Sequence, residues 1–160
     1  MQQMRKSKRQ KDAAWALEVF DRAPYVTVSM TRPDGTPYGL PLSVVRSNAD
    51  TFYFHCAGEG EKLLCIASNP MVSISAVSRC KPQFEEEKNN FTEYYHSAIA
   101  LGRAEIVSDR VEKIEALRLI CQRFLPSYMV HFDVAIERSL ARTTIVRIRL
   151  TEPPVGKSKP

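Results

Sequence analysis

Three separated segments of this sequence alternate apolar and polar side chains residue by residue, and that period of two commits each to a half-buried β-strand. In Tyr25–Thr31, Val26, Val28 and Met30 share one face and Thr27 and Ser29 the other. Met71–Val77 sets Val72, Ile74 and Ala76 against Ser73 and Ser75, and Thr144–Leu150 sets Val146, Ile148 and Leu150 against Arg147 and Arg149. Short strands with one wet face belong to antiparallel sheets and barrels, not to parallel sheets buried on both sides.

The stretches between them supply the rest of a barrel. Pro33-Asp34-Gly35 is a turn into a second strand over Pro37–Arg46, and Ser47-Asn48-Ala49-Asp50 turns that into a third, Thr51–Ala57, so a three-stranded meander is expected. Tyr94–Val107 is a further strand, with Gly102 suggesting a bulge or a corner. Helices are expected over Asp12–Arg22, stopped near Pro24 and capping the barrel, and over Glu61–Ser68, stopped at Asn69-Pro70. Ser108 or Asp109 caps a longer helix with an apolar stripe of Val111, Ile114, Leu117, Ile120, Cys121 and Phe124, broken at Pro126. Asp133–Ala141 reads as a short helix, polar Cys80–Asn90 with Glu85, Glu86 and Glu87 as a surface excursion, and the segment after Pro153 as an open-ended tail.

Length and charge narrow the class. With 44% hydrophobic and 26% charged residues in 160, the chain can fill one core, and residues 12–160 are expected to form one domain after a flexible basic arm, 1–11. Arg5, Lys6, Lys8, Arg9 and Lys11 account for the net charge of +5, leaving 18 basic against 18 acidic residues. A small nucleic-acid-binding barrel therefore rests on the arm alone, because no stripe of exposed aromatics interleaved with Lys or Arg is visible. Apolar stretches fall far short of the roughly 20 residues that span a bilayer, and the basic, amphipathic N-terminus is unlike a secretory signal, so a cytoplasmic protein is expected. Cys56, Cys65, Cys80 and Cys121 form no CxxC pair, and His55, His96 and His131 stand far apart, so no metal is expected.

Chemistry concentrates in Tyr53-Phe54-His55-Cys56-Ala57-Gly58-Glu59-Gly60-Glu61-Lys62-Leu63, a strand running through a glycine turn into a helix. Free backbone N–H groups and the positive helix end attract an anion, Gly58 and Gly60 allow close approach, and Lys62 adds a full charge. By residue type alone, an anion site and an ordinary strand-to-helix turn both remain open.

Asp34-Gly35-Thr36-Pro37-Tyr38, Leu40-Pro41-Leu42, Tyr53-Phe54-His55 with Ala57, Gly60 and Lys62, and Asn69-Pro70 follow in an order that resembles the nitroimidazole-resistance (Nim) type of FMN-binding protein in the pyridoxamine 5'-phosphate oxidase-like superfamily. Tyr95-His96-Ser97-Ala98-Ile99, Gly102-Arg103-Ala104-Glu105-Ile106 and Gly156-Lys157 extend the resemblance over residues 12–158. It implies a six-stranded antiparallel split β-barrel, mainly β with flanking helices, that binds FMN near the interface of a homodimer. It further implies that Pro41, Leu42 and Ser43 line the flavin ring, that His55, Cys56 and Ala57 lie along the ribityl phosphate near Gly60, that Lys62 holds the phosphate, and that Ser97 approaches the cofactor.

The function so implied is an FMN-dependent oxidoreductase reducing a nitroaromatic or another small oxidised compound with electrons from NAD(P)H. His55 and Tyr95 are proton carriers by residue type only. The alternative is a flavin-binding protein without turnover. True pyridoxamine phosphate oxidases end in a Trp- and Arg-containing motif that Thr151–Pro160 lacks, so that activity is not expected, and the poor fit of Cys80–Thr92 leaves the substrate open.

Overall fold

The structure, a computed structural model, describes residues 5–159; residues 1–4 of the expected arm lie outside the described residues. Its nine strands are β1 (Gln10–Lys11), β2 (Val26–Thr31), β3 (Pro37–Leu42), β4 (Val45–Arg46), β5 (Thr51–Ala57), β6 (Met71–Glu85), β7 (Asn90–Ile106), β8 (Thr143–Leu150) and β9 (Val155–Lys159). Its helices are α1 (Ala13–Arg22), α2 (Glu61–Ser68), α3 (Arg110–Phe124) and α4 (Phe132–Ser139). The architecture is an antiparallel β-sheet with flanking helices, as the resemblance implies, but with nine strands among the described residues instead of six.

The sheet runs β3-β2-β6-β7-β8-β5-β4, with β9 pairing both β7 and β1. The expected meander is therefore corrected: β5 does not follow β3 but pairs with β8 from Thr51↔Arg149 to Ala57↔Thr143. The break falls after Leu42, where Val44 and Val45 are buried and carry the chain across, splitting the expected Pro37–Arg46 strand into β3 and β4. Phe52 and Phe54 of β5 then join Val26, Val28, Ile74, Ala98, Val146 and Ile148 in one interior cluster, so the sheet curls around a common core without closing.

The polar segment expected as a surface excursion is exposed, but it is regular strand and not loop. β6 and β7 run on as a hairpin from Val77↔Ser97 to Glu85↔Asn90, turned through Asn89 at φ 45°. Most of β6 beyond Val77 is exposed, so apolar alternation is not required there and the strand signal is lost. Beyond Pro153, β9 pairs with β7 from Ile99↔Val155 to Tyr95↔Lys159, while Gln10 and Lys11 pair with its other edge.

Gly102 is not a bulge. It pairs regularly with Val72 and Leu150 just past the point where β7 exchanges β9 for β8, and a Cβ there would stand 2.6 Å from Ile148 Cγ2 and 2.8 Å from the Arg149 carbonyl. The register shift instead lies between Val77 and Arg79.

α1 is capped by Asp12, whose carboxylate accepts from the Trp15 N–H at 2.9 Å, and it seals the interior with Ala16, Val19 and Phe20. α2 adds Cys65 and Ile66 to the same core. α3, capped by Asp109, packs with α4 on the outer side of β4, β5 and β8 through Leu117, Ile120, Phe132, Ile136, Tyr53 and Ile145, whereas Val111 of the expected stripe is exposed. Among the described residues no helix is long and apolar enough to cross a membrane.

Candidate functional site

The expected site residues fall into two groups. One is the corner between β5 and α2. Strand alternation turns Cys56 toward the interior cluster and leaves His55 and Ala57 exposed on the opposite face, the side that carries Tyr53. These three residues cannot present side chains to one ligand surface together. Burial pushes the Cys56 thiol pKa up, and the charge of Lys62 pulls it part of the way back. The His55 imidazole makes no hydrogen bond among the described residues.

The start of α2 is open. Gly60 precedes it at φ 133° with no side-chain cap, and its carbonyl accepts from the Leu63 N–H at 3.0 Å, leaving the N–H groups of Glu61 and Lys62 without an acceptor among the described residues. A Cβ at Gly58 or Gly60 would meet nothing within 4 Å, so the corner is open at both glycines. Asp12 and Asp109 close the corresponding positions of α1 and α3. The acidic residue in this first turn, Glu61, is occupied by Arg32, whose Nε donates to its carboxylate at 2.7 Å. Sequence reading missed Arg32 because the pair spans two elements brought together only by folding.

The second group lies on the outer face of β3, β2, β6 and β7. Pro41 pairs with Thr27, Thr27 with Ser75 and Ser75 with Ile99, one row across four strands. Ser97 pairs with Val77 in the next row and with Lys157 of β9. Leu42 turns the other way and packs on the interior cluster, while Ser43 is exposed just beyond the strand. The hydroxyls of Thr27, Ser29, Ser73 and Ser75 thus line the face that Pro41 and Ser97 share; their alternation was visible in the sequence, but not which face they would serve.

Tyr95 stands two residues from Ser97. Burial would raise its hydroxyl pKa, but hydrogen bonds from Arg9 and Lys157 and their charges outweigh that and lower it. The Lys157 ammonium lies 5.4 Å from the ring centroid.

Residues 12–155 match the family described as Pyridoxamine 5'-phosphate oxidase. The chain belongs to this family. Pyridoxamine 5'-phosphate oxidase-like proteins bind flavins, and this chain is homologous to them.

Solved structures share the fold. A candidate 5-nitroimidazole antibiotic resistance protein from Bacteroides thetaiotaomicron superposes with a TM-score of 0.75 at 21% identity, over 92% of this chain and 87% of that one. The flavocytochrome Anf3 from Azotobacter vinelandii gives 0.79 at 19% identity over 98% and 72%. An FAD and heme binding protein from Mycobacterium smegmatis gives 0.80 at 20% identity over 94% and 73%. Among curated proteins no relative matches the sequence.

Proposed function

We propose that this chain binds FMN and works as a flavoprotein oxidoreductase that reduces a nitroaromatic or another small oxidised compound with electrons from NAD(P)H. The observation that carries the FMN reading is the open start of α2, with two N–H groups that have no acceptor among the described residues, Lys62 in the first turn, and open space at Gly58 and Gly60. That is a seat for a phosphate monoester. The residues present fit the group: Lys62 and the Glu61 and Lys62 N–H groups would hold the phosphate, Arg32 keeps the Glu61 carboxylate occupied, and Pro41 and Ser43 would line the ring. When bound, the flavin supplies hydride and electron transfer, while the chain orients it and excludes water.

In this reading a second copy of the chain covers the outer face of β2, β3, β6 and β7, so that Ser97 of one copy serves the cofactor of the other. The apolar residues of α1 and α2 are spent on the interior and those of α3 and α4 on β4, β5 and β8, leaving Met71, Val77 and Ile99 exposed on that face.

The test is the visible spectrum of the purified protein, followed by anaerobic mixing with NADH or NADPH. A yellow protein that releases FMN on denaturation and bleaches with either donor fits the proposal. A colourless protein that takes up no added FMN removes the flavin reading. One that holds FMN but bleaches with neither donor is a flavin carrier.

A further inference from the structure

We propose that the tip of the β6–β7 hairpin is an arm that anchors in a second copy of this chain, with Phe91 seated in that copy's apolar pocket between α3 and α4. Such an arm rests on the two-copy reading above and extends the contact beyond the sheet face.

The arm belongs to the face that a second copy covers. β7 alternates without interruption, so Phe91 shares the outer face with Ser97 and Ile99, and Phe84, the ladder partner of Phe91, lies on it as well. Val77, paired with Ser97, and Ile99 are exposed there, and so are Phe84 and Phe91. The apolar outer face therefore runs on to the tip, about 20 Å past Ser97 at roughly 3.3 Å per residue.

The tip has no support from the side in its own chain. From Lys81↔Tyr94 to Glu85↔Asn90 neither strand has a third neighbour in the sheet among the described residues. The Tyr94 hydroxyl donates to Glu85, and the rings of Phe84 and Phe91 meet with centroids 4.7 Å apart, so cross-strand pairs alone hold it. An isolated two-stranded hairpin is marginal in water. Phe91 is nevertheless 87% exposed, a large apolar ring carried at the end of a regular ladder.

A second apolar surface is left open elsewhere on the molecule, and it suits that ring. α3, α4 and the 126–131 segment joining them leave a cavity of about 160 Å³ whose walls include Cys121, Leu125, Tyr128, Met129, Phe132 and Ile136. Leu125 and Tyr128 are exposed. The cavity is smaller than the ~300–1,000 Å³ of small-molecule sites and nearer the scale of one aromatic side chain, the usual anchor of an interface. Charge agrees: the turn at the tip carries exposed Glu86 and Glu87, while Arg138 at the end of α4 and Arg142 just past it are exposed. About a two-fold axis each copy would give one arm and receive one.

The experiment measures the dimer dissociation constant of the full chain by sedimentation equilibrium in wild type, Phe91→Ala, Tyr128→Ala and the double variant. Val111→Ala, exposed at the other end of α3, is the control. All three side chains are exposed in the single chain, so circular dichroism should be unchanged throughout. Phe91→Ala and Tyr128→Ala should each weaken dimerisation roughly tenfold or more. The double variant should lose little beyond either one, because both remove the same contact, and Val111→Ala should behave as wild type. An unchanged constant in Phe91→Ala or in Tyr128→Ala, losses that add in the double variant, or an equal loss in Val111→Ala overturns the inference. A dimer that Ile99→Asp dissociates and Phe91→Ala does not keeps the two-copy reading and removes the arm, whereas a monomeric wild type removes both.

Discussion

Gly156 of β9 lies against the ring of Trp15 of α1 so closely that a side chain there has no room. A Cβ would stand 2.8 Å from Cζ3 of the indole and 3.0 Å from Lys11 Cβ. The same ring meets His96 of β7 edge-on, with centroids 5.2 Å apart. Trp15 thus clamps α1, β1, β7 and β9 at one point. Gly156→Ala should destabilise the fold by about 1–3 kcal/mol, the usual cost of overpacking, as read from urea unfolding. Trp15 is the chain's single tryptophan, so its emission should shift to the red as the ring is pushed toward water. A variant with unchanged stability and emission would mean that β9 is free to slide past the ring.

Lys62→Gln separates a phosphate contact from a solvated helix residue. If the ammonium contributes about 1.5–3 kcal/mol to holding a phosphate, FMN affinity of the apo protein falls roughly ten- to a hundred-fold, while riboflavin affinity stays constant. Equal, negligible changes for both flavins would make Lys62 a bystander. Equal large losses would point to a damaged fold.

Arg32→Ala tests the corner from the other side. The Arg32–Glu61 pair is exposed, with side-chain accessibilities of 38% and 42%, so its removal should leave the unfolding midpoint nearly unchanged. The freed Glu61 carboxylate would then face the phosphate seat, and FMN affinity should fall while riboflavin affinity holds. Double substitution with Glu61→Gln should restore it.

How much of this was legible in the sequence follows from what each element needs. β2, β8 and the first part of β6 bury one face each, so alternation exposed them; α2 and α3 were bounded by Gly60, Asn69-Pro70 and Asp109, each with a local reason to start or stop a helix. The hairpin beyond Val77 has little buried surface to enforce a pattern, and β9 follows two prolines, so neither announced itself. The departure of β5 from β3 is a long-range choice that local signals do not encode. At the site, the resemblance implied that His55, Cys56 and Ala57 lie along one ligand, and the pleat turns Cys56 to the other face from His55 and Ala57. Arg32 carried no sequence signal at all, because it matters through a partner on α2.

Tyr53 gives a pH signature. Its hydroxyl donates to Glu112 Oε1 at 2.8 Å, and Arg147 donates to both oxygens of the same carboxylate at 2.6 and 2.8 Å, tying β5 and β8 to α3. Burial, and then the hydrogen bond to Glu112, raise the Tyr53 pKa above its ordinary value of 10.0. The folded state therefore favours the neutral phenol, so this stabilisation is fully present below about pH 10 and is lost as pH rises through the higher folded value. Tyr53→Phe should cost ~1.5 kcal/mol at neutral pH, the lower end for a bond to a charged acceptor because Arg147 shares it. The difference between variant and wild type should shrink above pH 10, and a constant difference would show that the hydroxyl is not held neutral.

The homodimer reading places Ile99 at the centre of the covered face. It is 38% exposed, in the row that runs Pro41, Thr27, Ser75, Ile99, Val155, and it belongs to neither apolar cluster of the described residues. A carboxylate at that position would have to be buried without a partner if two copies met there, at a cost of several kcal/mol per copy. In a single chain it would simply face water. Ile99→Asp should therefore convert a dimer to a monomer in light scattering at micromolar concentration while leaving the urea midpoint of the monomer close to its starting value. If the flavin seat is shared between copies through Ser97, FMN affinity should fall in the same variant, although Lys62 and the start of α2 are untouched. A wild type that is monomeric with FMN fully bound would show that one chain alone completes the seat.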